Sequence, residues 1–327
     1  MTEKLLSISN LAVAYHTYEG RVRAVNGLNL NVEKGQTVGL VGESGAGKTT
    51  TALSIMGLIP SPPGRIESGS IVFDGVDLLS LPESGMMKVR GNKISMIFQN
   101  PMTSLNPVVT VGVQIAEVLQ AHQNLTEAEA HKKVCEMLET VQIPGSRHSE
   151  YPHEFSGGMR QRVGIAIALA CNPQMIIADE PTTALDVTIQ AQVLDLMRKL
   201  REDFSTAMLM ITHDLGIVGE ICDRVAVMYA GRIVEEGSLR QVFSNPLHPY
   251  TVGLFRCIPD IEDENASIES IAGMMPDPLA LPPACAFHPR CPEATESCWL
   301  IDPNEVEVES GHRVLCNKYV TGGGVFR

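Results

Sequence analysis

Apolar and polar positions along this chain change period several times, and each change predicts an element. TVGLVGESGAGKTTTALSIMGLI passes from a continuously apolar stretch through a glycine-rich turn into a helix. SGSIVFDGVDL alternates as a strand hairpin with Gly75 in its turn, and NKISMIFQNP is an apolar strand closed by a polar residue and a proline. From about residue 102 to 157 the pattern turns helical. TEAEAHKKVCEMLETV carries Thr126 and Glu129 at capping-box spacing and apolar residues at helical intervals. After Ser156 a helix (GMRQRVGIAIALA), a strand (QMIIAD), a long amphipathic helix (VTIQAQVLDLMRKLREDF) and a strand (AMLMITH) follow in turn. Strands alternating with helices predict an α/β fold, a mostly parallel sheet covered on both faces, with the 102–157 stretch as an inserted helical subdomain. Past Gly237 the pattern changes again: proline-rich MMPDPLALPPACAFHPRCP has no long periodic element, which predicts a small second domain over 238–327.

Composition adds constraints. The 327 residues are 44% hydrophobic and 19% charged, as in ordinary soluble domains, and the net charge of −13 argues against a nucleic-acid partner. MTEKLLSISNLAVAYH meets polar residues too early for a signal peptide, and no apolar run approaches the ~20 residues of a membrane span. The expected setting is the cytosol, where disulfides are rare.

The chemistry concentrates in three stretches. GESGAGKT, comprising Gly42, Glu43, Ser44, Gly45, Ala46, Gly47, Lys48 and Thr49, matches the phosphate-binding loop and lies between a predicted strand and helix. Glycines there let backbone N–H groups turn inward around phosphates, next to the positive end of a helix; Thr50 follows on that helix. Lys48 is expected on the β- and γ-phosphates and Thr49 on Mg²⁺. In MIIADEPTTALD an apolar strand ends in Asp179, placed for magnesium, and Glu180, placed to polarise the attacking water. FSGGMRQRVGIAIALA puts Ser156, Gly157 and Gly158 at a helix start, which is a second anion site. One nucleotide has no need of two such sites in one chain, whereas two chains head to tail would use both.

These motifs, with Gln99 after its strand, ALD and ITHD, occur in an order that resembles the ATP-binding-cassette ATPases over about residues 5–237. The resemblance implies a P-loop cassette hydrolysing ATP with Mg²⁺ on Thr49, Gln99 and Asp179. It implies that Gln99 senses the γ-phosphate in the groove receiving a transporter's coupling helix, and that Glu180 and His213 act in hydrolysis. Ser156, Gly157 and Gly158 complete the partner's site, Asp186 lies at the dimer seam, and Tyr15 stacks on adenine, with Tyr18 the alternative. The signature departs from the usual pattern at Met159, where glutamine is common; the serine and both glycines remain.

Three function classes suit a cassette: an importer subunit, a DNA-repair cassette and a ribosome-associated protein. The acidic charge and the lone P-loop weigh against the last two. NPLHPYTVGLFRCIP, CAFHPRCP and HRVLC resemble the C-terminal extension of dipeptide and oligopeptide importer ATPases, of which nickel and glutathione importers are relatives. That resemblance implies a second, non-identical ATPase, two membrane permease subunits and, indirectly, a periplasmic peptide-binding protein. The location it implies is peripheral, on the cytoplasmic face of the inner membrane.

Cys285, Cys291, Cys298 and Cys316 are separated by five, six and seventeen residues, a poor match to zinc spacing and to ferredoxin runs. Spacing alone leaves a soft-metal site and unmetallated thiols open. The importer resemblance implies a [4Fe–4S] cluster on these four, with zinc second, disulfides third, and His288 and His312 as reserve ligands. Cys135, Cys171, Cys222 and Cys257 read as buried inert thiols.

Overall fold

The computed structural model describes residues 3–100, 104–183, 185–257 and 270–320. The expected start of the helical insert, near residue 102, and parts of the expected C-terminal domain lie outside them. Its strands are β1 (Lys4–Thr17), β2 (Gly20–Glu33), β3 (Thr37–Val41), β4 (Gly64–Phe73), β5 (Val76–Asp77), β6 (Ile94–Ile97), β7 (Met175–Asp179), β8 (Ala207–Thr212), β9 (Arg224–Tyr229), β10 (Arg232–Ser238), β11 (Glu305–Glu309) and β12 (His312–Leu315). The first helices are α1 (Lys48–Ile55), α2 (Glu83–Val89), α3 (Val111–His122) and α4 (Glu127–Thr140). They are followed by α5 (Gly157–Leu169), α6 (Val187–Phe204), α7 (Leu215–Ile221), α8 (Leu239–Ser244), α9 (Pro249–Arg256) and α10 (Ser297–Leu300). The chain divides into two compact units, one of residues 1–5, 32–37 and 74–211, the other of residues 6–31, 38–73 and 212–327.

In the first unit β6, β7 and β8 run parallel, with Ile94 opposite Met175 and Met175 opposite Ala207. Every residue of β7 and β8 is buried, which is why both read as unbroken apolar runs rather than alternating ones. Helix α6 starts at Asp186, whose side chain accepts from the Ile189 amide, and buries Val193, Leu194, Leu196, Met197 and Leu200. The expected capping box opens α4: the Thr126 amide donates to Glu129 Oε2 at 2.9 Å and the Glu129 amide to Thr126 Oγ1 at 3.4 Å. Satisfying two orphan amides locally lets α4 begin sharply.

In the second unit β1 and β4 pair antiparallel, from Leu6 opposite Phe73 to Tyr15 opposite Gly64. Strand β3 runs parallel to β9, and β10 turns back antiparallel on β9. Residues 305–315, where the sequence offers no long periodic element, form the hairpin β11–β12, which extends this sheet by pairing β12 with β10.

Two adjacent acidic residues on β10 fasten the C-terminal segments. Glu235 is almost fully buried, and its carboxylate accepts from the backbone amides of Leu247 at 2.9 Å and His248 at 2.8 Å. The His312 ring lies 2.8 Å away through Nε2. Glu236, next to it, pairs with Arg224 at 2.7 Å and Arg313 at 2.6 Å. Burial pushes the Glu236 carboxyl above its usual range, against the pull of both guanidinium groups.

Because Glu235 fills two amide donors and an imidazole where water does not reach, Glu235→Ala should strip three partners at once. We expect it to lower unfolding free energy by about 3 kcal/mol. The denaturant midpoint of the full chain measures this, and an unchanged midpoint would place the attachment elsewhere.

Candidate active site

The phosphate-binding loop follows the fully buried β3. It can turn there only because two of its residues lack side chains. A Cβ on Gly42 would stand 2.2 Å from the Met228 carbonyl oxygen, and one on Gly47 would stand 2.4 Å from that of Ala24. Gly47 also holds φ 106°, a left-handed conformation that L side chains rarely adopt, and it caps α1. Lys48, buried, donates from Nζ to the carbonyls of Gly42 at 2.6 Å and Glu43 at 3.0 Å. The ammonium is thus held across the mouth of the loop. Ser44, Gly45 and Thr49 are exposed, and Ala46 is buried. The Tyr15 hydroxyl approaches Thr50 Oγ1 at 3.5 Å, whereas Tyr18 is 98% exposed. Of the two tyrosines, Tyr15 is the one beside α1.

The strand ends of the other unit bring together two residues that lie far apart in sequence. Gln99 follows β6 and Glu180 follows β7, and Gln99 Nε2 donates to Glu180 Oε2 at 2.8 Å. Thr183 Oγ1 donates to the same carboxylate oxygen at 3.0 Å. Glu180 has φ 47°, a strained conformation for a side chain of this size, fixed by its amide donating to Ile211 O at 2.8 Å. Asp179, the last residue of β7, is buried. Gln99 and Thr183 thus both donate to one carboxylate oxygen at the end of β7. The part played by Thr183 had no signal in the sequence beyond its place in EPTT.

Ser156 caps α5, accepting from the Met159 amide at 3.4 Å. Its two glycines are not equivalent. A Cβ on Gly158 would stand 2.3 Å from Ile189 Cγ2, so close packing against α6 explains that glycine. At Gly157 the nearest atom, Leu185 Cδ2, would be 3.9 Å away, and the residue is exposed. Among the described residues nothing requires glycine there. Met159 receives a long contact from Arg147 Nη1, 3.6 Å from its sulfur. Asp186 is exposed and so is Val187, at 84%; Ala184 of the ALD motif lies outside the described residues. His213, after β8, is exposed.

The cysteine expectation needs correction. Cys285, Cys291, Cys298 and Cys316 do line one cavity of about 440 Å³, with His288 on its wall. All are free thiols, so disulfides are ruled out in this structure. Among the described residues, however, no three or more His, Cys, Asp or Glu side chains are grouped so as to hold a metal ion, and the iron–sulfur and zinc readings are withdrawn. Burial pushes the Cys291 thiol up to about 11 and raises Cys285 and Cys316. Of the reserve ligands, His312 uses Nε2 on Glu235 and His288 uses Nδ1 on the Cys285 carbonyl at 2.8 Å. The C-terminal segments are anchored instead by β12, Glu235 and Glu236.

A phosphate-binding loop alone defines many enzymes. Joined by a glutamine–glutamate pair on neighbouring strand ends and an exposed Ser-Gly helix start, it defines an ATP-binding cassette. Comparison with known proteins agrees. Residues 25–183 match the ABC transporter family, and residues 234–298 match the oligopeptide/dipeptide transporter C-terminal region. The oligopeptide transport ATP-binding protein AppD of Bacillus subtilis is 51% identical over 98% of both chains. The oligopeptide transport ATP-binding protein OppD of Escherichia coli is 50% identical over 97% of this chain and 94% of its own. Among solved structures, the dimeric ATP-binding cassette MJ0796 in a post-hydrolysis state bound to ADP and Pi superimposes with a TM-score of 0.65. It shares 28% identity and covers 72% of this chain and 99% of its own. The chain belongs to the ABC transporter ATPases, in the group that carries the oligopeptide/dipeptide transporter C-terminal region.

The unequal glycines can be separated by experiment. Gly158→Ala should cost about 1–3 kcal/mol of stability through overpacking on Ile189. Gly157→Ala should leave the denaturation curve in place, and equal destabilisation by both would refute the distinction.

Proposed function

We propose that this chain is the ATP-hydrolysing subunit of an importer of dipeptides and short peptides. The observation that carries the reading is the phosphate-binding loop with Lys48 poised across it, in a chain whose full-length relatives are named as oligopeptide transport ATP-binding proteins. The loop suits a nucleotide: Gly42 and Gly47 let it turn tightly against the Met228 and Ala24 carbonyls, and Ser44, Gly45 and Thr49 are exposed. Lys48 neutralises β- and γ-phosphate charge, and Tyr15 offers its ring to adenine. Thr49, Gln99 and Asp179 are the residues suited to Mg²⁺, which supplies charge neutralisation on the phosphates. Glu180, oriented by Gln99 and Thr183, holds the attacking water and takes its proton, and His213 contacts the γ-phosphate.

Among the described residues nothing requires glycine at exposed position 157, which favours a second cassette facing Ser156, Gly157 and Gly158, with Asp186 and Val187 at the seam. In this reading the second cassette is a non-identical ATPase. The pair works beneath two permease subunits fed by a periplasmic peptide-binding protein, on the cytoplasmic face of the inner membrane. No helix among the described residues is long and apolar enough to cross a membrane, which suits a peripheral subunit. The cassette is assigned to 1–237 and a smaller C-terminal domain to 238–327. The nickel and glutathione alternatives are not favoured, since the relatives are named for oligopeptide transport.

Lys48→Ala should lose most ATP binding, while Glu180→Gln should bind ATP and hydrolyse it about 10²–10⁴-fold more slowly, since one acts on ground-state phosphates and the other on water. Equal losses of affinity, read with a fluorescent ATP analogue, would refute this division of labour. The isolated chain should be a weak ATPase that gains rate when combined with its partner cassette and permeases. Sedimentation of a fully active monomer would contradict the shared site.

A further inference from the structure

Glu43, the second residue of the phosphate-binding loop, has all its polar groups engaged, and two of its partners come from the C-terminal segments. Its amide donates to Tyr250 Oη at 3.0 Å. Its carboxylate accepts from Arg290 Nη1, at 3.0 Å to Oε1 and 3.2 Å to Oε2. Its carbonyl accepts from Lys48 Nζ at 3.0 Å and from the Ala46 amide at 3.1 Å.

Both outside partners are themselves immobilised. The Arg290 side chain is 5% exposed, against 32% for Glu43. Arg290 Nε donates to Ala272 O at 2.9 Å, Nη2 to Ile271 O at 3.3 Å, and Nη1 reaches Tyr229 Oη at 3.4 Å. Tyr250 is fully buried in α9, with its ring 4.6 Å from Tyr229 and 5.4 Å from Phe287. The turn that presents it is capped by His248, which burial keeps neutral by pushing its imidazole down to about 3. Neutral Nδ1 can then accept from the Tyr250 amide at 3.0 Å.

The consequence falls on Lys48. Its ammonium rests on the carbonyls of Gly42 and Glu43, and the direction of those carbonyls is set by where Glu43 is held. A charge-assisted bond from a buried, pre-ordered guanidinium holds a loop residue far more firmly than a solvated surface pair does. The amide of Glu43, satisfied by a phenol, has no need to turn away from the loop to find an acceptor.

We infer that Arg290 and Tyr250 are positioning residues of the nucleotide site: by fixing Glu43 they preorganise the phosphate-binding loop, so that the C-terminal segments set the chain's affinity for ATP. The inference rests on reading the loop as an ATP site. Preorganisation lowers the ordering cost of binding. Its loss therefore raises KM while kcat for bound nucleotide is retained.

The test uses the full-length chain, Mg²⁺ and a fluorescent ATP analogue, with Glu43→Ala, Arg290→Ala, the double variant and Tyr250→Phe. Lys318→Ala serves as control; it breaks the exposed Lys318–Glu293 pair in the C-terminal segments without touching the loop. Arg290→Ala should weaken binding about tenfold, the value of a charged hydrogen bond, and Tyr250→Phe by several-fold, with the control at parent affinity. The double variant should bind no more weakly than Glu43→Ala alone, a non-additivity that a purely structural role for Arg290 would not produce. If Arg290→Ala does not fold, Tyr250→Phe, which keeps the ring packing, decides the matter. Parent affinity in Arg290→Ala and Tyr250→Phe, or additive losses in the cycle, would overturn the inference while leaving the ATP site intact. Failure of the parent chain itself to bind would overturn both.

Discussion

Gly42 passes so close to the carbonyl of Met228 that the pairing of β3 with β9 and the turn of the phosphate-binding loop form a single constraint. A buried parallel strand has no room to adjust, so the residue leaving it must have no Cβ, and the loop takes its direction from the strand alongside. That direction places the Gly42 and Glu43 carbonyls where they receive Lys48. A buried ammonium with two acceptors is tolerable in a way an unpaired one is not. The chemistry of the loop follows from packing two residues earlier.

In the other unit the same logic appears with opposite charge. Parallel β6 and β7 end side by side, so residues 81 apart in sequence meet as the Gln99–Glu180 hydrogen bond. Glu180 is held at positive φ by a bond to Ile211 O, a cost of order 1–3 kcal/mol that the surrounding sheet sustains. Strain of this kind persists where a side chain has to be aimed, and here it aims a carboxylate held by a carboxamide and a hydroxyl.

What was legible in the sequence was local chemistry. The phosphate-binding loop, the Thr126–Glu129 capping box and the Ser156 cap are each written within a few consecutive residues, because the backbone groups they satisfy are their own neighbours. The attachment of the C-terminal segments was not legible, since Glu235 finds His312 77 positions away and nothing in VEEG marks one glutamate as buried. The cysteines show the reverse error. Four thiols close in sequence do border one cavity, yet proximity in sequence carried no information about whether that cavity groups them as ligands.

The buried acidic pair of β10 and the pinned Glu43 are two ends of one path. Glu235 fixes the amides of Leu247 and His248; His248, capping α9, fixes the amide of Tyr250; and Tyr250 fixes the amide of Glu43. The first three links are buried, so shifting one would orphan a polar group at a cost of about 1–3 kcal/mol, and the last is part-buried. A chain of such bonds transmits position rather than energy. The C-terminal segments, which hold no nucleotide motif of their own, thereby share in shaping the loop that does.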